Sequence, residues 1–173
     1  MMAEGDLQRV LSVLAASEAR YLVVGGVAVV LHGYPRFTAD LDLVIALDAE
    51  NVRRIVTALS GLGYRPRAPV RAEELADATK RREWIEDKGM VVFSLWSPEL
   101  PATEIDIFVE EPFPFDEAYS RATRADLGYA TVTVACVDDL VDLKMRVPRA
   151  KDLEDVEALK EIANRRKSQN DSG

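Results

Sequence analysis

Cysteine occurs once in this 173-residue chain, at Cys136, so no disulfide can form within it. Histidine also occurs once, at His32, in an apolar stretch where a packed or capping imidazole is the simpler reading than a catalytic one. Basic residues are in deficit: 22 Lys and Arg face 30 Asp and Glu, a net charge of −8. That balance disfavours broad, sequence-blind binding to a nucleic acid backbone, while leaving room for a local basic patch beside an acidic site. Long hydrophobic runs are missing too. The longest, residues 21–32, is broken by Gly25 and Gly26 and is too short to span a membrane. The N-terminal MMAEGDLQRV is polar and mixed in charge, unlike a secretory leader, so a soluble cytoplasmic protein is expected. Glycine and proline are few, and 48% hydrophobic residues supply a real core, which excludes intrinsic disorder.

The periodicities predict a mixed β-sheet flanked by helices, an α/β (α+β) fold in one domain over residues 1–164, with residues 165–173 as a flexible polar tail. Residues 5–20 carry Leu7, Val10, Leu11, Leu14 and Ala15 at helical spacing, with Asp6 as N-cap. An apolar strand at 21–24, a turn at Gly25 and Gly26, a short helix from Val27 to His32 or Gly33 and a strand at 41–46 follow. Asp48 is expected to cap a helix over 49–59 that Gly61 and Gly63 end. Residues 64–69 read as strand or loop and 70–88 as helical. Strands are expected at 90–96 and 103–109, a short helix after Pro114, and a hairpin of 124–127 with 130–134 about Gly128 and Tyr129. A C-terminal helical part completes the chain. Asp138 is read as capping a helix over 139–147 that Pro148 stops, and a last helix covers 150–163 with Leu153, Val156, Leu159 and Ile162 inward.

The chemistry concentrates in residues 23–46. Asp40 and Asp42 stand at i and i+2 of the second strand, on one face and roughly 7 Å apart along it. Like charges at the start of a hydrophobic strand need a reason, and a divalent cation supplies one. The segment Glu104-Ile105-Asp106-Ile107-Phe108 alternates, so Asp106 shares a face with Glu104 and Phe108 and joins Asp40 and Asp42 if its strand lies beside theirs. Three carboxylates on adjacent strands are a ligand set for two Mg²⁺ ions, with Mn²⁺ as a substitute, one ion activating an attacking hydroxyl and the other neutralising a triphosphate. Gly25 and Gly26, between strand and helix, would let phosphate approach the backbone closely.

The order Val24-Gly25-Gly26, then Asp40-Leu41-Asp42-Leu43, then Ile105-Asp106-Ile107 resembles the nucleotidyltransferase (polymerase-β-like) superfamily. Ala28, Gly33, Arg36 and Thr38, with the C-terminal Leu140, Lys144, Arg149, Lys151 and Asp152, are similar to its minimal bacterial AbiEii-type, toxin–antitoxin-associated branch. The resemblance covers residues 5–163. It departs at Gly26, where a serine often contacts phosphate, so that contact would come from backbone alone. It implies catalytic and metal-holding roles for Asp40, Asp42 and Asp106. Nucleotide contacts would fall to Gly25, Gly26, Arg36 and Thr38, with Lys144 and Lys151 reaching triphosphate or base. The implied activity is ATP- or other NTP-dependent transfer of a nucleoside monophosphate to a hydroxyl with release of pyrophosphate. The acceptor stays open among an RNA or tRNA end, a partner protein such as a cognate toxin or antitoxin, and a small molecule. A reading of another class is a non-catalytic module that binds nucleotide or partner on the same fold. Glu104 is expected to be exposed or to support the ligands, Cys136 to lie in the core, Trp84 and Trp96 to pack, and Asp152 to pair with Lys151 or Arg149 or touch the site.

Overall fold

The computed structural model describes residues 2–146 and 150–172. Helix α1 (Met2–Ala16) leads into β1 (Tyr21–Val24), α2 (Gly25–Leu31), β2 (Leu41–Ile45) and α3 (Ala49–Ser60). A two-residue β3 (Arg65–Pro66) precedes a 3-10 turn (Ala72–Ala76), α4 (Ala78–Lys88), β4 (Val92–Trp96) and β5 (Ile105–Phe108). After α5 (Phe115–Ser120) come β6 (Thr123–Asp126), β7 (Thr131–Val134), α6 (Val137–Arg146) and α7 (Ala150–Asp171). The strands form one seven-stranded sheet in the order β3-β4-β5-β2-β1-β7-β6. It is mixed, as expected: β2–β5 and β1–β7 are parallel, whereas β1–β2, β3–β4, β4–β5 and β6–β7 are antiparallel.

Burial explains the order. β1 reads Tyr-Leu-Val-Val, is buried at all four positions and sits mid-sheet, where both faces are covered. β4 and β5 lie toward one edge and alternate, with Phe93, Leu95, Ile105 and Ile107 turned inward and Ser94, Trp96, Asp106 and Phe108 on a half-exposed face. Helix α3 seats Val52, Ile55, Val56 and Leu59 against the core, and Asp48 caps it by accepting from the Asn51 amide at 2.9 Å. Buried Asn51 in turn holds the chain between α1 and β1. Its Oδ1 accepts from Arg20 N at 2.7 Å, while its Nδ2 donates to the carbonyls of Arg20 (2.9 Å) and Ala46 (2.8 Å).

Several elements depart from expectation for local reasons. α1 begins at Met2, so Asp6 lies within the helix rather than capping it, and its carboxylate accepts from Ala102 N at 3.1 Å. The stretch 70–88 is not one helix. Asp77 breaks it by taking the Thr79 and Lys80 amides (2.8 and 3.3 Å), the work of an N-cap. Asp138 stands inside the first turn of α6, not before it, and Pro148 lies outside the described residues. Cys136 is only half-buried, its Sγ 3.1 Å from Asp139. Arg121 grips both oxygens of Asp139 (2.7 and 2.8 Å), and these hydrogen bonds hold the Asp139 carboxyl below its ordinary range and tie α6 to the end of α5.

The largest correction is at the C-terminus. α7 buries Val156 and Leu159 but leaves Leu153 exposed, and it runs on to Asp171, so residues 165–171, expected as a tail, are its last turns. Arg166 anchors them: its guanidinium donates to the His32 carbonyl and lies 3.3 Å from His32 Nδ1. His32 is the packed residue expected, with Nε2 2.9 Å from the Ala135 carbonyl. Among the described residues no helix is long and apolar enough to cross a membrane.

Two stability predictions follow from these contacts. Replacing Asn51 with Ala removes three side-chain hydrogen bonds to backbone, the one to the Ala46 carbonyl buried, and lowers unfolding free energy by about 2–3 kcal/mol, read from urea unfolding. Burial, the main cause, and nearby Arg166 lower the His32 pKa below its ordinary 6.5, so the native state favours the neutral ring. The unfolded chain therefore binds the proton more readily, and stability is complete above pH 6.5 and lost as pH falls below it. The urea midpoint at pH 5.5 should lie below that at pH 7.5, by a margin that shrinks in His32→Gln.

Candidate active site

Two glycines at the β1–α2 elbow are dictated by what lies against them. Gly25 has φ +67°, and a Cβ on it would stand 2.1 Å from Asp42 Oδ2. A Cβ on Gly26 would meet Thr38 Oγ1 at 2.7 Å and lie 3.5 Å from Arg36 Cζ. The glycine pair is thus wedged between the second aspartate and the loop that leads to the first. α2 spans only seven residues, so the elbow contributes an uncluttered backbone surface more than a long helix dipole.

The strand pairing then gathers the carboxylates. Asp42 is in register with Val24 on one side and with Asp106 of parallel β5 on the other. The condition set by the sequence, that these strands be neighbours, is met. Asp106 is also in register with Ser94 of β4, whose hydroxyl donates to Asp106 Oδ1 at 2.5 Å. Asp40 sits just outside β2 and is exposed, with its carbonyl accepting weakly from the Thr38 hydroxyl at 3.4 Å. Among the described residues no three His, Cys, Asp or Glu side chains gather closely enough to hold a metal ion. Register therefore brings together Asp42 and Asp106, and Asp40 stands at the strand entrance. As a donor set, two half-buried carboxylates on adjacent strands fit a hard divalent cation.

Beside the elbow opens a cleft of about 590 Å³. Gly25 and Asp42, Phe108, Glu110 and Glu111, Leu140, Leu143, Lys144 and Arg146 of α6, and Asp152 of α7 line it. Of the expected site residues, Gly25, Asp42 and Lys144 line it, whereas Gly26, Arg36, Thr38, Asp40 and Asp106 do not. The side chain of Lys151 lies outside the described residues.

Lys144 is held rather than loose. Its Nζ lies 3.0 Å from Asp155 and 3.5 Å from Asp152, and its side chain is 9% exposed. Arg36 forms an ion pair with the same oxygen of Asp155. One buried aspartate thus brings together the loop before Asp40 and the wall of the cleft. Asp152 pairs with Lys144 and lines the cleft, the contact with the site that was one of its two expected roles, while Arg149 and the side chain of Lys151 lie outside the described residues. Sequence reasoning missed Asp155 and Ser94. Asp155 was visible as the i+3 partner of Asp152 on one helix face, and Ser94 as the outward residue of a strand alternating Phe93 and Leu95 inward.

An elbow of glycines against one aspartate, strand-paired with another beside a ligand-sized cleft, is the arrangement expected from the resemblance to nucleotidyltransferases. The chain belongs to the family described as nucleotidyl transferase AbiEii toxin, type IV TA system, whose model matches residues 7–170. Solved structures share the fold. The lincosamide antibiotic adenylyltransferase LnuA, lincomycin-bound, is 16% identical with a TM-score of 0.58, over 92% of this chain and 97% of that one. The antibiotic-resistance factor ANT(2″)-Ia is 13% identical with a TM-score of 0.56, over 99% of this chain and 96% of that one. Among individually curated proteins none matches.

The elbow geometry yields a comparison of two glycines. Gly25→Ala and Gly128→Ala both place a side chain at positive φ, with a strain of about 1 kcal/mol each. Only the first meets an obstacle, Asp42, whereas the space around Gly128 is open. Gly128→Ala should lose a little melting temperature and Gly25→Ala more, because the new Cβ must also displace the Asp42 side chain. Nucleotidyl transfer should fall at least a hundredfold in Gly25→Ala and stay near wild type in Gly128→Ala.

Proposed function

We propose that the protein transfers a nucleoside monophosphate from an NTP to an acceptor hydroxyl, as the catalytic member of a toxin–antitoxin pair. The observation that carries this reading is the register of Asp42 with Asp106, directly beside Gly25 and the cleft. The triphosphate lies along the glycine elbow, with Lys144 and Arg146 facing its charge and Arg36 and Thr38 supporting the elbow from behind. Phe108, Leu140 and Leu143 offer an apolar wall for the base. Lys151, next in sequence to Asp152 of the cleft lining, is a further phosphate contact in this reading.

The acceptor oxygen attacks the α-phosphorus as the bond to the β-phosphate oxygen breaks, and pyrophosphate leaves. Asp106 takes or orients the hydroxyl proton, and the Ser94 hydroxyl fixes the plane of its carboxylate. A divalent cation, Mg²⁺ or Mn²⁺, held by Asp42 and Asp106 and completed by Asp40, supplies charge neutralisation on the triphosphate. Holding two ions requires Asp40 to join the strand-paired carboxylates. ATP is the first donor to try, and the acceptor is a hydroxyl of an RNA end or of a partner protein. Solved structures with this fold include a lincosamide antibiotic adenylyltransferase and ANT(2″)-Ia in complex with adenylyl-2″-tobramycin, so small-molecule hydroxyls belong among the test acceptors.

The test uses each α-labelled NTP with Mg²⁺ or Mn²⁺ and, in turn, total RNA, cell lysate and aminoglycosides. Label should pass to one acceptor class with equimolar pyrophosphate release. Asp42→Asn and Asp106→Asn should each reduce transfer by three orders of magnitude or more without changing the fold by circular dichroism. Wild-type rates in Asp42→Asn would refute the assignment. NTP binding without any transfer would favour a non-catalytic nucleotide-binding module.

A further inference from the structure

The sheet ends at β6, and among the described residues no strand lies beyond it. Leu127 N donates to the Ala130 carbonyl at 2.9 Å, closing the β6–β7 hairpin about Gly128 and Tyr129. Bonded and non-bonded pairs alternate along an antiparallel ladder, so Thr123 and Ala125 direct their backbone groups to β7. Those of Arg124 and Asp126 therefore point off the open edge of the sheet. Both side chains are exposed and share one face of the strand, opposite the uncharged Thr133 and Thr131 of β7. Arg124 touches the Tyr119 hydroxyl at 3.3 Å, and Asp126 accepts from Gly128 N at 2.9 Å. On the other face Ala125 and Leu127 are half-buried and pack against the core. Edge strands are commonly protected by proline, lysine or a bulge. Residues 122–130 contain neither proline nor lysine, and the pairing of β6 with β7 is unbroken, so this edge is left able to pair.

We propose that β6 is a docking edge for a second copy of this chain, the two strands pairing antiparallel about a two-fold axis at Ala125. A two-fold interface must be self-complementary, and this edge is so in one register alone. With the axis at Ala125, Arg124 faces the partner's Asp126 and Asp126 faces the partner's Arg124. Those residues carry the outward backbone groups, so each facing pair exchanges both of its backbone hydrogen bonds and adds an ion pair above them. An axis at Arg124 or at Asp126 sets that residue against its own copy, charge against like charge. An axis at Thr123 or at Leu127 leaves one charge of each edge opposite an alanine or a glycine. At the centre the two Ala125 residues form a non-bonded pair, the closer kind, which a methyl side chain admits. On the core side, Leu127 comes to lie opposite Thr123 of the partner subunit, which continues the half-buried apolar row across the axis. The net charge of −8 on each copy opposes association, but it is screened beyond about 8 Å at physiological salt. The cleft stays open, because β7 separates β6 from β1 and no residue of β6 lines it.

Sedimentation equilibrium of the full chain over about 1–500 μM in about 0.15 M salt tests this. A four-residue strand makes a small interface, so wild type should pass from monomer to dimer with a dissociation constant of about 10–100 μM. Arg124→Asp and Asp126→Arg each set like charges opposite one another and should weaken the dimer at least tenfold. An equimolar mixture of these two variants should associate about as well as wild type, since an acidic edge then meets a basic one. The double variant carrying both changes should dimerise with itself for the same reason. Recovery on mixing is a result that damage to the fold cannot produce. A wild type that stays monomeric throughout overturns the proposal and leaves the edge solvated or open to a strand of another protein. A dimer that neither single variant weakens, or two weakened variants that do not recover on mixing, overturns it as well and places any self-association on another face.

Discussion

Everything at this site depends on a missing methyl group. Gly25 lies so close to the Asp42 carboxylate that any side chain there would enter it, and its positive φ suits glycine independently. That contact joins two neighbours in register, since Asp42 pairs with Val24, the residue before Gly25, and with Asp106 on its other side. Steric room, hydrogen-bond register and charge thus converge on one point of the sheet. Half-buried carboxylates on adjacent strands repel, and surrounding elements hold them here: Ser94 binds Asp106, and the elbow confines Asp42. A cation is the natural counterweight to that stored repulsion.

A second set of charges sets the shape of the cleft. Asp155 is buried, and it holds Arg36 from the loop before Asp40 together with Lys144 from α6. Buried ion pairs of this kind add little net stability but penalise any rearrangement that separates them, so they specify geometry. Here they fix the approach of α7 to the elbow. Arg166 repeats the device near the other end of the helix, on His32. α7 is amphipathic only in part, with Val156 and Leu159 buried and Leu153 exposed, and its polar anchors explain why it stays helical to Asp171.

The central strands and their carboxylates were legible because their signals are local. Tyr21–Val24 is an unbroken apolar run, Asp40-Leu41-Asp42 is an acidic start to another, and Ile105-Asp106-Ile107 alternates cleanly. The family match bears out the resemblance that those three segments carried in order. The rest depended on contacts far apart in sequence. Nothing near Asp155 indicates that Arg36, 119 residues away, will pair with it. The Asp77 break, the position of Asp6 and the length of α7 likewise follow from hydrogen bonds that periodicity does not encode. Of the triad expected at i, i+2 and a distant strand, Asp42 and Asp106 stand in register, and Asp40 lies one residue before Leu41, the first paired residue of β2.

The claim that Asp42 and Asp106 form the reactive centre beside the glycine elbow is tested most directly by crystallography with Mn²⁺ and a non-hydrolysable NTP analogue, using the manganese anomalous signal. An anomalous peak should appear within bonding distance of both carboxylates, with Asp40 drawn toward it and the triphosphate lying along Gly25 and Gly26 toward Lys144. A nucleotide bound elsewhere, or manganese that ignores Asp42 and Asp106, would contradict it.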